Sequence, residues 1–370
     1  MKKLALITAA VAALAVGSPD TLSAEELRYS LFVPSRSLEF EALDGYFKEL
    51  GEATGGEVTG KIYPGGQLLS APATLKGISD GTIDMGFVIP AFTPSELRHV
   101  NMLPDLVGYT LDAEGSAAAA NEAVMLGCES CKADFEDRGA TFLGGHGSTP
   151  WQLMCADEAA TLEDLKGRRV RSTGGPAIRL VESLGMVSVQ MPVSEISSAL
   201  AGGQIDCAVG PVSWLEAYSL WDSIEIVLDM DLGISAGIAL FTVNSDKLAA
   251  MSEENRATFI NLIPKHLSKL TYSYINQAKE VREMAEGKGV KFVQPTDEMK
   301  AALESYRAGD IENITQGMID RGIENPREMI DAHLKRLEKW TKMLDESGRG
   351  DQAYEDLMRA EIYDKYQAAN

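Results

Sequence analysis

Apolar positions along the chain follow two periods in turn. Residues 27–33 (Leu-Arg-Tyr-Ser-Leu-Phe-Val) read as a strand, and from 38 to 54 the apolar residues Phe40, Leu43, Phe47 and Leu50 recur at helical spacing until Gly55-Gly56 stops them. Residues 58–63 form a second strand pattern closed by Pro64-Gly65-Gly66, 75–80 are helical, and 83–89 are a strand ending at Pro90. Strands alternating with helices predict an α/β lobe with a largely parallel sheet under helical cover.

The same alternation returns after residue 150. Strands are predicted at 151–155, 169–172, 187–191 and 205–209, with a capped turn from Thr161 and helices at 176–184 and 194–201 between them. In both halves a helix leads into a strand through one phrase: Gly81-Thr82-Ile83-Asp84 and, 122 positions later, Gly203-Gln204-Ile205-Asp206. Taken alone this echo is ordinary punctuation, Gly after a helix and a polar residue before a strand. It fits two lobes of similar build. From Pro264 onward the pattern is mostly helical, and 268–286 and 325–346, with charged faces, are expected to brace both lobes. Two α/β lobes joined by crossovers imply a cleft floored by strand ends and helix N-termini.

Composition narrows what such a cleft serves. The 370 residues carry 34 Lys+Arg against 55 Asp+Glu, a formal charge of -21, which repels phosphate backbones and anionic lipid heads; nucleic-acid binding and peripheral membrane docking are disfavoured. At the N-terminus Lys2 and Lys3 precede an apolar run over 4–16 and small residues through Ser23-Ala24. The run is too short to span a bilayer core and reads as a secretory signal peptide over 1–24. That segment holds Lys2, Lys3 and Asp20, a net +1, so removing it takes the charge from -21 to -22. The expected product is a soluble exported protein, periplasmic where the source has an outer membrane, with no direct membrane insertion.

Export makes the four cysteines candidates for disulfides, with three full pairings open. Cys128 and Cys131 lie in a helical stretch over 121–137, where a local disulfide or two unpaired thiols is a better reading than a redox pair or half a metal site. Cys155 and Cys207 fall in strand-like runs and are either paired or buried. No second C-x-x-C or His pair completes a four-ligand set, and His99, His146, His266 and His333 are scattered, so no metal or cofactor is expected.

The segment Arg168-Arg169-Val170-Arg171-Ser172-Thr173-Gly174-Gly175-Pro176 carries the candidate chemistry. A strand containing Arg171 runs into a Gly-Gly turn, with Pro176 placed to open a helix. A guanidinium fork beside free backbone N–H groups at Gly174 and Gly175 suits a carboxylate. The ordinary alternative is three surface charges. Strand alternation puts Arg169 and Arg171 on one face and Arg168 on the other, so only some of the three face a cleft.

These residues resemble a known family. Leu162-Glu163-Asp164-Leu165-Lys166-Gly167, Val170-Arg171, Gly185, Met191-Pro192, Ser194-Glu195, Ala199-Leu200 and Gly203 with Ile205-Asp206 are similar to the core signature of DctP-type substrate-binding proteins of tripartite ATP-independent periplasmic (TRAP) transporters. Thr54-Gly55-Gly56, Tyr63-Pro64-Gly65-Gly66-Gln67-Leu68 and Asp80-Gly81-Thr82-Ile83-Asp84-Met85-Gly86 agree in order and spacing, and the resemblance covers about residues 27 to 310. It implies a two-lobed periplasmic-binding-protein fold with a central cleft, crossover strands and long bracing helices. It also implies capture of a small organic acid for a small and a large membrane subunit, and matches Arg171 to the arginine that pairs with the ligand carboxylate. The chain departs from the pattern at Gly210, where the family usually has an Asn that helps hold that carboxylate.

Beyond Gly210, Trp214, Tyr218 and Trp221 share a face if 213–222 is one helix. Such a stripe is ordinarily core-facing. The functional alternative is an aromatic wall, with Trp214 stacking on a ligand or enclosing a cationic head, Trp151 beside it after the His146-Gly147-Ser148-Thr149 turn, and Phe87 and Phe92 opposite. The missing Asn and this wall keep a small amine or zwitterion open as the ligand.

Another class is an exported serine hydrolase: Gly233-Ile234-Ser235-Ala236-Gly237 matches a nucleophile elbow with His266 or His333 downstream. The strand pattern after it, at 238–243, does not supply the helix an elbow needs. Delivery to a sensor kinase or an ATP-driven importer is a third possibility that the residues leave open. The reading that results is a non-enzymatic, monomeric capture protein. Its expected layout is a first lobe of 25–148 with about 232–275, a second of 149–231 with about 276–324, and C-terminal helices over 325–370 packing on the lobes.

Overall fold

The computed structural model describes residues 25–110 and 112–369; the predicted leader lies outside the described residues. The strands are β1 (Glu25–Ser30), β2 (Val58–Tyr63), β3 (Met85–Val88), β4 (Ala140–His146), β5 (Trp151–Cys155), β6 (Arg169–Arg171), β7 (Val187–Val189), β8 (Cys207–Pro211), β9 (Ile226–Leu228), β10 (Ile238–Asn244) and β11 (Lys291–Val293). They form two sheets, β2-β1-β3-β10-β4 in a first lobe and β11-β9-β5-β8-β6-β7 in a second. The strand-helix-strand units give parallel pairs, β1 with β2 and β3, and β6 with β7 and β8. In the first sheet β10 is antiparallel to both neighbours, and in the second β5 is.

The repeated Gly-x-Ile-Asp phrase does the same work in each sheet. Asp84 accepts hydrogen bonds from the Arg28 backbone N–H (2.8 Å) and Nε (2.9 Å), and its own N–H donates to Arg28 O at 3.0 Å. Asp206 accepts from the Arg169 N–H (2.8 Å) and Nε (3.0 Å), and its N–H donates to Arg169 O at 2.8 Å. Each aspartate thus locks the entry of its strand to the neighbouring parallel strand. The preceding Gly81 and Gly203 sit at φ 69° and 63°, a left-handed turn that a side chain would strain.

Side-chain alternation in the second sheet builds a core on each face. Leu153, Cys155, Cys207 and Val209 join one cluster, Met154 and Ala208 the other. Cys155 and Cys207 are direct register partners across β5 and β8 and form a disulfide inside the core; Cys128 and Cys131 form a second, local one. All four cysteines are paired.

Two segments cross between the sheets, from His146 to Trp151 and from Leu228 to Ile238, and they hydrogen-bond to each other: Ser148 N–H to Ser235 O (3.2 Å), Trp151 N–H to Gly233 O (2.8 Å) and Leu232 N–H to Trp151 O (2.8 Å). Two long helices span the lobes. Glu253–Ala285 gives Phe259, Ile263 and Leu267 to the first core and Val281 and Ala285 to the second lobe. Asp297–Asp320 gives Met299 and Leu303 to the second lobe and Ile314 and Met318 to the first.

Two expectations need correcting. The first helix starts well before Pro264 and runs through it, although an interior proline removes a backbone hydrogen bond at a cost of about 3 kcal/mol; burial of Ile263, Leu267 and Leu270 around it holds the helix together. Helix Pro326–Ser347 does not brace both lobes. Its buried Ile330, Trp340 and Leu344 belong to the first core, with Trp340 Nε1 donating to Glu122 at 2.6 Å. Among the described residues no helix is long and apolar enough to cross a membrane.

Candidate functional site

A cavity of about 710 Å3 is lined from both lobes and from the crossovers between them. Arg171, at the C-terminal end of β6, lies in its second-lobe wall. The residue is 6 % exposed, and its guanidinium donates from Nε to Met191 O at 3.3 Å and lies 5.3 Å from the centre of the Trp214 ring. Among the described residues it has no carboxylate partner within ion-pair distance. Burial lowers its pKa from the usual arginine value to about 10, which still leaves it charged at neutral pH. A buried unpaired cation is costly, and an anion entering the cavity offsets that cost. The neighbouring arginines are engaged elsewhere, Arg168 with Asp157 and Arg169 with Asp206.

The Gly-Gly turn is split. Gly174 lines the cavity at φ 82° and caps helix Gly175–Ser183, while Gly175 is exposed and outside the lining. Gly210 is also outside the lining, but it explains what stands there. A Cβ at Gly210 would lie 2.3 Å from Trp214 Cζ3, so only glycine lets the indole lie against β8. The space where the family's Asn side chain is expected is filled by the ring that flanks Arg171.

The aromatic stripe does not form one helix. The helix is short, Trp214–Ala217, and Ser219 at φ 54° turns the chain away. Trp214 and Tyr218 stay together, edge to face at 5.7 Å, and both line the cavity; Trp221 is directed to Glu216, with Nε1 donating at 2.7 Å. Trp151 enters the lining at the crossover. The first lobe contributes Phe87, stacked on Phe32 at 4.9 Å, together with Phe92.

Three lining residues carry chemistry that sequence patterns did not single out. Glu39, in the first turn of helix Leu38–Ala53, is 6 % exposed and accepts a hydrogen bond from the Tyr274 hydroxyl. His146, at the end of β4 and 2 % exposed, stacks on Tyr274 at 5.6 Å and has Nε2 3.7 Å from Glu39 Oε1. Burial lowers the His146 pKa, and the Glu39 carboxylate opposes that shift. Among the described residues its Nδ1 has no hydrogen-bond partner, and neither do the buried hydroxyls of Ser148, Thr173 and Ser213 on the same cavity. A glutamate near a helix start is so common that only the fold, which brings β4, helix Leu38–Ala53 and helix Glu253–Ala285 together, reveals this group.

Ser235 also lines the cavity, but the segment around it has no regular secondary structure and leads into β10. A nucleophile elbow requires strand, turn and helix, so that geometry is absent here. His266 faces Glu49, with Nε2 at 3.0 Å, and His333 is buried on helix Pro326–Ser347.

Comparison with known proteins places this architecture. Over 206 residues the chain is 27% identical to the 2,3-diketo-L-gulonate-binding periplasmic protein YiaO of Escherichia coli K12, covering 55% of this chain and 61% of that protein. It superposes with a TM-score of 0.75 at 20% identity on a marine metagenome TRAP solute-binding protein specific for aromatic acid ligands, in complex with metahydroxyphenylacetate (85% of this chain, 99% of the other). The TM-score is also 0.75, at 20% identity, for a TRAP solute-binding protein from Rhodoferax ferrireducens T118 with copurified benzoate (86% and 99%). Residues 29–316 match the family model for DctP, and with most of its length in that match the chain belongs to this family, the family 7 bacterial extracellular solute-binding proteins.

Proposed function

We propose that this chain is the extracytoplasmic receptor of a TRAP transporter, a monomer that captures a small organic acid and delivers it to the small and large membrane subunits without chemistry on the ligand. The observation that carries this reading is the buried Arg171 guanidinium, charged and, among the described residues, without an acidic partner, in the wall of a cavity shared by two lobes. A ligand carboxylate supplies the missing charge, and the Gly174 turn and the unpartnered Thr173 hydroxyl stand beside it. Trp151, Trp214, Phe87 and Phe92 wall the remainder, which suits a flat apolar body. Benzoate and metahydroxyphenylacetate, held by the two solved relatives, are of this kind.

A ligand drives closure only through contacts that differ between open and closed states. Groups from both lobes line the cavity, so a bound acid supplies such contacts. The test is a thermal-shift panel of carboxylates, keto acids, betaines and amino alcohols. Aromatic monocarboxylates are expected to raise the melting temperature and their methyl esters to leave it unmoved. Stabilisation by betaines or amino alcohols with none by carboxylates would shift the assignment to the amine reading. A fluorophosphonate probe should leave Ser235 unlabelled.

A further inference from the structure

Arg171 is one pole of the cavity, and the group formed by Glu39, His146 and Tyr274 is a second, built by the other lobe and the spanning helix. We infer that this second pole binds a hydroxyl group on the ligand, so that the preferred solute is an aromatic monocarboxylate carrying a hydroxyl on the ring. This rests on the reading of Arg171 as the carboxylate pole.

The chemistry of the group argues for a hydroxyl. Glu39 is a buried carboxylate with no Lys or Arg within ion-pair distance among the described residues, and it accepts from the Tyr274 hydroxyl. His146, largely buried, carries the unpartnered Nδ1. Tyr274 orders the pair by bonding one and stacking on the other. An all-apolar ligand would leave the ring nitrogen and the remaining lone pairs of this carboxylate desolvated without a partner. A hydroxyl answers both groups, donating its one proton to the Glu39 carboxylate and accepting from His146 Nδ1–H in the tautomer where that nitrogen holds the imidazole proton. Phe87, whose ring lies 5.7 Å from that of His146 and stacks on Phe32 at 4.9 Å, keeps the approach to the pole apolar and flat. That favours an aryl hydroxyl over a hydrated ammonium. Because Arg171 comes from the second lobe and Glu39 and His146 from the first, such a ligand ties the lobes together.

The experiment is isothermal titration of the full mature chain with matched pairs: benzoate against 3- and 4-hydroxybenzoate, and phenylacetate against 3- and 4-hydroxyphenylacetate. At least one hydroxylated acid is expected to bind about tenfold or more tightly than its parent, the value of one hydrogen bond to a charged group. In Glu39→Ala or in His146→Phe the ratio should collapse toward unity, each variant being checked for cooperative melting. Equal affinities within every pair in the wild-type chain would overturn the inference while leaving Arg171 as the carboxylate pole. So would a ratio that survives both variants, or tighter binding of 3- or 4-(aminomethyl)benzoate than of either hydroxybenzoate. If none of these acids binds, but uncharged phenols do, the carboxylate reading itself has failed.

Discussion

Gly210 and Trp214 compete for one space: a Cβ on the glycine would stand 2.3 Å from Cζ3 of the indole, and the indole so admitted lies 5.3 Å from the Arg171 guanidinium. A backbone position thereby sets what the binding arginine faces. Gly210→Ala should push the ring off β8 and disturb the Arg171 contact, at an overpacking cost of about 1–3 kcal/mol. The expected outcome is a lower melting temperature and at least a tenfold loss of affinity for aromatic acids, measured by calorimetry. Wild-type affinity in that variant would mean the indole is not held there for the ligand.

The Arg36 side chain gives a test of closure. It leaves the loop after β1, is exposed at the lip of the cavity, and donates from Nε to Ala217 O in the other lobe at 2.7 Å. A charge-assisted bond at an exposed edge contributes about 1 kcal/mol, or roughly fivefold in a rate. Arg36→Ala should therefore speed ligand dissociation about fivefold in stopped-flow displacement, with a smaller change in association. An unchanged off-rate would show that this bond does not hold the closed form.

How much of this was legible in the sequence follows from range. The strand and helix alternation, the lobe count and the candidacy of Arg171 come from local patterns, and the Gly-x-Ile-Asp echo proved to be the same lock in both sheets. The local pattern starts helix Glu253–Ala285 too late because Pro264 is locally a breaker, whereas tertiary burial of Ile263 and Leu267 overrides it. Spacing alone puts the aromatic stripe on one helical face because it does not disclose the positive φ at Ser219. Glu39, His146 and Tyr274 are 107 and 128 residues apart in sequence and meet only through the fold.

The two strand locks differ in exposure and so in worth. The Asp84 side chain is 4% exposed and that of Asp206 30%. Asp84→Asn is expected to cost about 2–3 kcal/mol and Asp206→Asn about 1 kcal/mol or less, by denaturant titration. Burial raises the Asp84 pKa, but the Arg28 hydrogen bonds outweigh it and the net shift is below 3.8; at Asp206 the Arg169 hydrogen bonds are the leading cause of a shift in the same direction. Both groups bind fewer protons folded than unfolded near that pH. Their stabilisation is complete above the ordinary carboxylate range and is lost as pH falls through the depressed folded values. The two Asn variants should lose less stability than wild type between pH 5 and about pH 2.

The Cys155–Cys207 disulfide closes a separation of 52 residues within the second lobe, whereas Cys128–Cys131 closes 3. In the chain-entropy account the longer loop contributes about 4 kcal/mol and the shorter about 2 kcal/mol. The double variant Cys155→Ala/Cys207→Ala should lower the melting temperature by more than Cys128→Ala/Cys131→Ala does. Equal shifts would place the main effect in local packing instead.

The account turns on Arg171, and its most direct test is a differential melting series on Arg171→Met with and without aromatic carboxylates. Removing an unpaired buried charge should leave the ligand-free protein as stable as wild type or more so, and carboxylates should no longer stabilise it. A variant that melts normally and still gains wild-type stabilisation from the same acids would contradict the assignment of Arg171 as the group that holds the ligand carboxylate.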